Sequence, residues 1–195
     1  MRYLDKLLNN GLEPGLLDAR IENGILEPKT AIAVLQDAGI INSPDYWERQ
    51  INTRTVRYLD QLLINMANRC RIILEKIIHA EAAGEDTKGQ ILVGNVVLNR
   101  HLSKKFPTGI HPVVFQQTVN DNRIVYQFTP AGSGAYAAAN PSTSVKTAVS
   151  SLLDGTDYSQ GALFFTSLAS ANTPGNWHQN ALSRLFAHGG HVFYK

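Results

Sequence analysis

Hydrophobic positions recur at helical spacing through the first third of the chain and then change character. In "RYLDKLLNN" (2–10) and "RYLDQLLIN" (57–65), Tyr3, Leu4, Leu7, Leu8 and Tyr58, Leu59, Leu62, Leu63 form the same stripe, and the two segments match at seven of nine positions. This internal repeat predicts two amphipathic helices with similar buried faces. "KTAIAVLQDAG" (29–39) predicts another, and Ser43 and Pro44 of "INSPDYW" suit an N-cap and a first helical turn. Residues 1–66 therefore read as a small all-helical unit.

From about residue 67 the stripes widen and strand patterns join them. A helix is predicted over about 69–84, followed by "EDTKGQ", where Thr87 and Gln90 fit a capping box, and by "ILVGNVVLNRHL", which is apolar on nearly all sides and predicts a central buried helix. "FPTGIHPVVFQQ" gives a turn and a short helix near Pro112, "RIVYQFT" (123–129) a strand, and "AGSGAYAAANPS" a loop. "STSVKTAVSSLLDG" is a helix stopped by Gly155, "GALFFTS" a second strand and "HVFYK" a short third one. The predicted class is α+β: mostly helix with a small sheet.

Composition narrows the range of functions. The chain has 195 residues, 44% of them hydrophobic, enough for one core plus a small accessory unit. The single cysteine, Cys70, excludes an intramolecular disulfide and reads as a small buried hydrophobe. Net charge is +2 with 17% charged residues, and the basic residues are scattered, so nucleic-acid binding has no electrostatic footprint. No apolar run approaches the roughly 18 residues of a transmembrane segment. "MRYLDKLLNNG" lacks the apolar core and cleavage site of a signal peptide, so work outside a cell would require a phage setting, release by lysis or an absent leader.

The candidate chemistry lies where an oily helix stops. At about 100° per residue, Leu74, Ile77, Ile78, Glu81 and Glu85 fall on one face, with Cys70 at its N-terminal end. Burial of Glu81 against isoleucines would disfavour its charged form, and Glu85 and the helix C-terminus would push the same way. A carboxyl that stays protonated near neutral pH is what a general acid requires. The plain alternative is a Glu81 in water or paired with Arg100 or Lys88. His79 projects from the opposite side of the helix and reads as a satisfied polar or packing contact. His79, Glu81, His188 and His191 match no zinc spacing, and the glycines of "HGGH" suggest a loop, so neither a metal nor another cofactor is expected.

"HAEAAGEDTKGQILVGNVVLNR" resembles the opening motif of the SleB/CwlJ-type cell wall hydrolases, the spore cortex-lytic family. "VYQFT", "GALFFTS" and "HGGHVFYK" resemble its later segments in the expected order, the second of these as the strand before an asparagine-containing loop. The similarity covers about residues 70–195. It implies a lysozyme-like domain, occupying residues 67–195, that cleaves peptidoglycan glycan strands, with Glu81 at the position of the family's catalytic glutamate. Ala83 stands where the family often has Arg, and Asn95 where it often has Ala.

Glycosidases with two working carboxylates place them on opposite sides of the scissile bond, roughly 5–9.5 Å apart. Glu81 and Glu85 lie on one side, so Glu85 is a supporting carboxylate and a poor nucleophile. Asp86, Asp121, Asp154 and Asp157 occupy no recognisable motif. A single-acid lytic transglycosylase fits better, with an N-acetylmuramidase or a non-catalytic wall-binding protein as rivals. Candidate sugar contacts are Gln127 and Thr129, expected on one strand face, Tyr126 and Phe128 on the other, and Phe165, Thr166 and Trp177; the polar pair is favoured to face substrate. For residues 1–66 two readings stay open, an addressing module for the wall or a protein partner, with Tyr46 and Trp47 as contacts, or a structural cap. The cap is favoured, because aromatics near helix starts usually pack.

Overall fold

The structure, a computed structural model, describes residues 43–52, 59–107, 109–120 and 123–195. The expected helices at 2–10 and 29–39, and with them the first copy of the repeat, lie outside the described residues. Contacts divide the chain into two units, Met1–Ile72 and Ile73–Lys195.

In the first unit, helix α1 (Pro44–Asn52) starts where Ser43 and Pro44 predict it, with the Ser43 carbonyl accepting from the backbone N–H groups of Tyr46 and Trp47. Proline suits a first turn because its missing N–H would have no partner there. Tyr46 is half exposed and Trp47 half-buried, their rings edge to face at 5.5 Å. Helix α2 (Leu59–Ala82) passes through residue 66 without a break. Among the described residues, no helix is long and apolar enough to cross a membrane.

In the second unit, the end of α2 buries Ile73, Leu74, Ile77, Ile78 and Ala82. Helix α3 (Thr87–Leu102) is buried on nearly every side, as its pattern predicts. Its N-cap is Asp86, whose carboxylate accepts from Gly89 N at 2.7 Å; the expected Thr87 capping box is corrected to this one-residue-earlier cap. A Cβ on Gly94 would lie 2.5 Å from Leu152 and 2.9 Å from Ile78, so glycine lets α3 approach both neighbouring helices.

A fully buried helix needs partners for its polar groups. Asn95 donates to Thr156 O and accepts from Tyr158 N, while Asn99 donates to Ser159 Oγ and Ala162 O. These bonds hold the loop at 156–162 against the helix.

Short helix α4 is Ile110–Val114, and strands β1 (Gln117–Asn120) and β2 (Arg123–Tyr126) form an antiparallel hairpin with Val119 opposite Ile124. The expected strand over 123–129 is corrected: it ends at Tyr126, and Thr129 opens helix α5 (Thr129–Ser133), with Pro130 in its first turn. The segment expected as a loop continues that helix and forms α6 (Ala135–Ala138). Helix α7 (Thr143–Leu153) has Ser142 as N-cap and buries Val145, Ala148, Val149 and Leu152 at helical spacing.

Strand β3 (Phe164–Ser167) and helices α8 (Leu168–Ala171) and α9 (Trp177–Ala181) precede β4 (Arg184–His188) and β5 (His191–Tyr194). The antiparallel sheet has the order β3-β5-β4, so β5 is central. Side chains alternate across a strand, and both faces of β5 are covered. Phe193 joins Leu92, Val96 and Ala162 on one side, and Val192 and Tyr194 join Ala171 on the other. The α+β class is observed, with β1 and β4 added to the expected strands.

Candidate active site

Glu81 lies in the last turn of α2, half-buried beyond the fully buried Ile77 and Ile78. Beside it the chain leaves the helix at Gly84, where an added Cβ would meet nothing within 4 Å. Burial pushes the Glu81 carboxyl from 4.5 up to about 7, and the Arg100 guanidinium opposes this in part. A carboxyl removed from water loses more solvation when charged than when neutral, which is the cause of the rise.

Arg100 was named from the sequence only as an ion-pair partner, and its setting shows a larger part. It is 4% exposed at the end of α3. Its Nε donates to Leu163 O at 2.7 Å, and its guanidinium lies 4.9 Å from the Phe106 and Phe128 ring centres and 5.2 Å from that of Phe164. Its Nη1 is buried without a partner among the described residues. Burial lowers its pKa to about 10, against the opposing pull of Glu81. The other cation considered, Lys88, lies over the Tyr158 ring.

Glu85 is occupied elsewhere. Its carboxylate accepts from Gly190 N at 3.0 and 3.3 Å and faces His191 Nδ1 at 3.6 Å. Next to it, Asp86 Oδ1 meets His188 Nε2 at 2.8 Å, and this bond, with that from Gly89 N, holds the Asp86 carboxyl below its ordinary range. The acidic corner between α2 and α3 thus grips the β4–β5 turn. The expected upward push of Glu85 on Glu81 is corrected, since burial is the cause of the rise and Glu85 serves the turn.

Gly189 has φ +52° and an added Cβ would collide with the Glu85 carboxylate. Gly189→Ala is therefore expected to lower stability by about 1–2 kcal/mol, from the left-handed backbone and the displaced carboxylate. Thermal unfolding of the variant checks this, and an unchanged midpoint would show that the grip contributes nothing.

"HGGH" is the turn of that hairpin, and among the described residues no three His, Cys, Asp or Glu side chains gather to hold a metal ion. His79 is half-buried, and its Nδ1 is buried without a partner among the described residues, so of the two alternatives the satisfied polar contact is not observed.

The expected sugar contacts separate by exposure. Gln127 and Thr129 are exposed but share no strand face, for β2 ends at Tyr126 and Thr129 already opens α5. Phe128 is 1% exposed against Arg100 and Phe165, so its expected role as a contact surface is corrected to packing. Tyr126 is half-buried with its ring against Gly132, where a Cβ would not fit. Phe165 is half-buried between Phe128, Phe193 and His191, and Thr166 is half-buried beside it on β3. Trp177 is 51% exposed, edge-on to Phe164 at 5.8 Å and 4.1 Å from the His178 ring. Phe164 in turn lies against Arg100, so one chain of contacts links the exposed indole to the cation whose field reaches Glu81. His178 gave no sequence signal beyond its place beside that tryptophan.

A profile of the cell wall hydrolase family matches residues 84–194, starting three residues after Glu81. The chain is 28% identical over 121 residues to the spore cortex-lytic enzyme of Bacillus subtilis strain 168, covering 62% of this chain and 36% of that one. To the spore cortex-lytic enzyme of Bacillus cereus strain ATCC 14579 it is 26% identical over 123 residues, 63% and 43% of the two chains. It thus spans well under half the length of these relatives.

Among solved structures it is similar to the catalytic domain of the germination-specific lytic transglycosylase SleB from Bacillus anthracis. That match has a TM-score of 0.52 and 25% identity, covering 65% of this chain and 93% of that domain. The catalytic domain of Bacillus cereus SleB matches with the same TM-score and 26% identity, covering 65% and 91%. The fold is accordingly the lysozyme-like α+β fold of those domains. The profile takes in 84–194, the acidic corner, buried helix and three-stranded sheet described above, and the chain belongs to the cell wall hydrolase family.

Proposed function

We propose that the chain cleaves peptidoglycan glycan strands as a lytic transglycosylase, with Glu81 as its one general acid and base. The observation that carries this reading is a carboxyl that burial holds protonated up to about pH 7, at the end of a helix whose last turns bury one face, in a chain of this family. The relatives' names, spore cortex-lytic enzyme and germination-specific lytic transglycosylase, support the same substrate class and reaction. Within this reading residues 67–195 carry the catalysis, and residues 1–66 are an accessory unit.

Glu81 donates its proton to the glycosidic oxygen as the bond from that oxygen to C1 breaks. The carboxylate left behind takes the proton of the sugar's own 6-hydroxyl as that oxygen bonds to C1. The acid is regenerated, no water is consumed, and the product ends in a 1,6-anhydromuramoyl ring. Arg100 favours the transient carboxylate, while burial favours the acid at the start and end of the cycle. No second carboxylate is required. That suits a corner in which Glu85 is bonded to Gly190 and Asp86 to His188 and Gly89.

Mass spectrometry of the fragments released from purified peptidoglycan tests the reaction. Anhydro ends, lighter by one water than hydrolytic ends, are expected. Reducing ends alone would instead mean an N-acetylmuramidase, and binding without release a wall-binding protein. Parallel digestion of spore cortex, with its muramic lactam, and of vegetative wall shows which glycan is preferred.

A further inference from the structure

The loop before α9 fixes the protonation pattern of one histidine beside the exposed indole. Asn176 Nδ2 lies 2.9 Å from the Ser170 carbonyl oxygen, which can only accept, so the amide nitrogen must face it. A second bond of 2.9 Å to Ser170 Oγ holds the same end of the side chain. Asn176 Oδ1 is thereby turned toward His178, accepting from its backbone N–H at 2.9 Å and meeting its ring Nδ1 at 3.0 Å. Because an amide oxygen has no proton to give, Nδ1 must carry the ring hydrogen. In the neutral imidazole Nε2 is then a bare acceptor, and among the described residues nothing bonds to it.

The ring itself is held between Trp177, at 4.1 Å, and Tyr194, at 5.6 Å. Burial, and then the Arg100 charge, lower the tendency of His178 to take a second proton, so the neutral form is favoured. A fixed acceptor on a ring packed against a half-exposed indole suits a ligand with an apolar face and hydroxyl groups around its rim.

We propose that His178 is a substrate-contact residue, its Nε2 accepting a hydrogen bond from a glycan hydroxyl while the sugar face rests on Trp177. This rests on the glycan-cleaving reading above, and the orientation comes from the Asn176–Ser170 bonds. Asn176 acts as a positioning residue that sets which ring nitrogen is bare.

The test is nitrogen NMR on the full chain labelled in histidine, as Glu81→Gln to prevent turnover, titrated with soluble chains of alternating N-acetylglucosamine and N-acetylmuramic acid. The free protein is expected to show His178 protonated at Nδ1 and bare at Nε2, and the Nε2 resonance is expected to move as glycan binds. In the active chain, His178→Gln, whose amide oxygen reaches the place of Nε2, should keep KM within about threefold, whereas His178→Asn should raise it about tenfold with kcat little changed, as for one lost hydrogen bond. The opposite tautomer, or an Nε2 signal that stays still at saturating glycan, overturns the inference. So does an unchanged KM in His178→Asn. If glycan still binds and is cleaved, this inference alone fails; a wild-type chain that neither binds nor cleaves glycan removes the underlying reading as well.

Discussion

Glu81→Gln is expected to lower release of soluble glycan by roughly 10²–10⁴-fold, the range for a positioned general acid, and at the same time to make the protein more stable at alkaline pH. The two effects have one cause. The ordinary carboxyl pKa is 4.5 and burial raises that of Glu81 to about 7. Between those values the folded chain keeps a proton that the unfolded chain releases, so stability falls as pH rises through the window. The penalty is absent below 4.5 and complete above 7. After allowance for the partial exposure of the site, it is on the order of 1–3 kcal/mol. Glutamine has the same shape and no charge to bury. Unfolding by denaturant should therefore give nearly equal midpoints for the two proteins at pH 4.5 and a higher one for the variant at pH 8. Undiminished turnover in the variant would remove Glu81 from the mechanism, and identical stability profiles would remove the burial argument.

The raised carboxyl of Glu81 is legible from sequence because its signal is local: a carboxylate extends an apolar stripe on a single helix, and the stripe Leu74, Ile77, Ile78 is fully buried. The central helix was legible for the same reason. Where a role depends on partners far along the chain, the pattern failed. Arg100 draws its setting from Phe106, Phe128, Phe164 and the Leu163 carbonyl, three stretches of the chain that only the fold brings together. Glu85 shares a helical stripe with Glu81, yet its partner is Gly190 in a hairpin turn at the far end of the chain.

Two strands carry no clear sequence signal, for physical reasons. Strand β1 is exposed throughout and so carries no core-facing alternation, and in β4 the alternation is broken by a register shift between Arg184 and Phe186. The expected strand over 123–129 exceeds the observed one because "VYQFT" alternates well, whereas Pro130 favours a helix start just after Phe128. At the α3 N-terminus Asp86 and Thr87 are adjacent candidates. Asp86 takes the cap by bonding Gly89 N, while Gln90 donates to Glu85 O and accepts from Ser144 instead of completing a capping box.

The second large effect is expected at Arg100, where packing and charge can be separated with two substitutions. Arg100→Ala removes the bond to Leu163 O and the contacts with three aromatic rings, leaving a cavity in a tightly packed region. A loss of about 3–5 kcal/mol follows, a large part of the roughly 5–15 kcal/mol that holds a domain together. Arg100→Met keeps an apolar stem of similar length and also removes a buried Nη1 that has no partner among the described residues, so at pH 5 its stability should stay much closer to wild type. The charge is then the remaining difference. Arg100 is the group that holds the Glu81 carboxyl down against burial, so without it Glu81 should keep its proton to higher pH. The alkaline limb of the activity profile, where the acid form is lost, should move upward in Arg100→Met, and the variant should lose stability relative to wild type as Glu81 ionises with no cation nearby. A limb at the same pH in both proteins would mean that Arg100 serves packing alone; a limb that moves while the fold at pH 5 is unchanged would show that this buried cation sets the proton affinity of the acid.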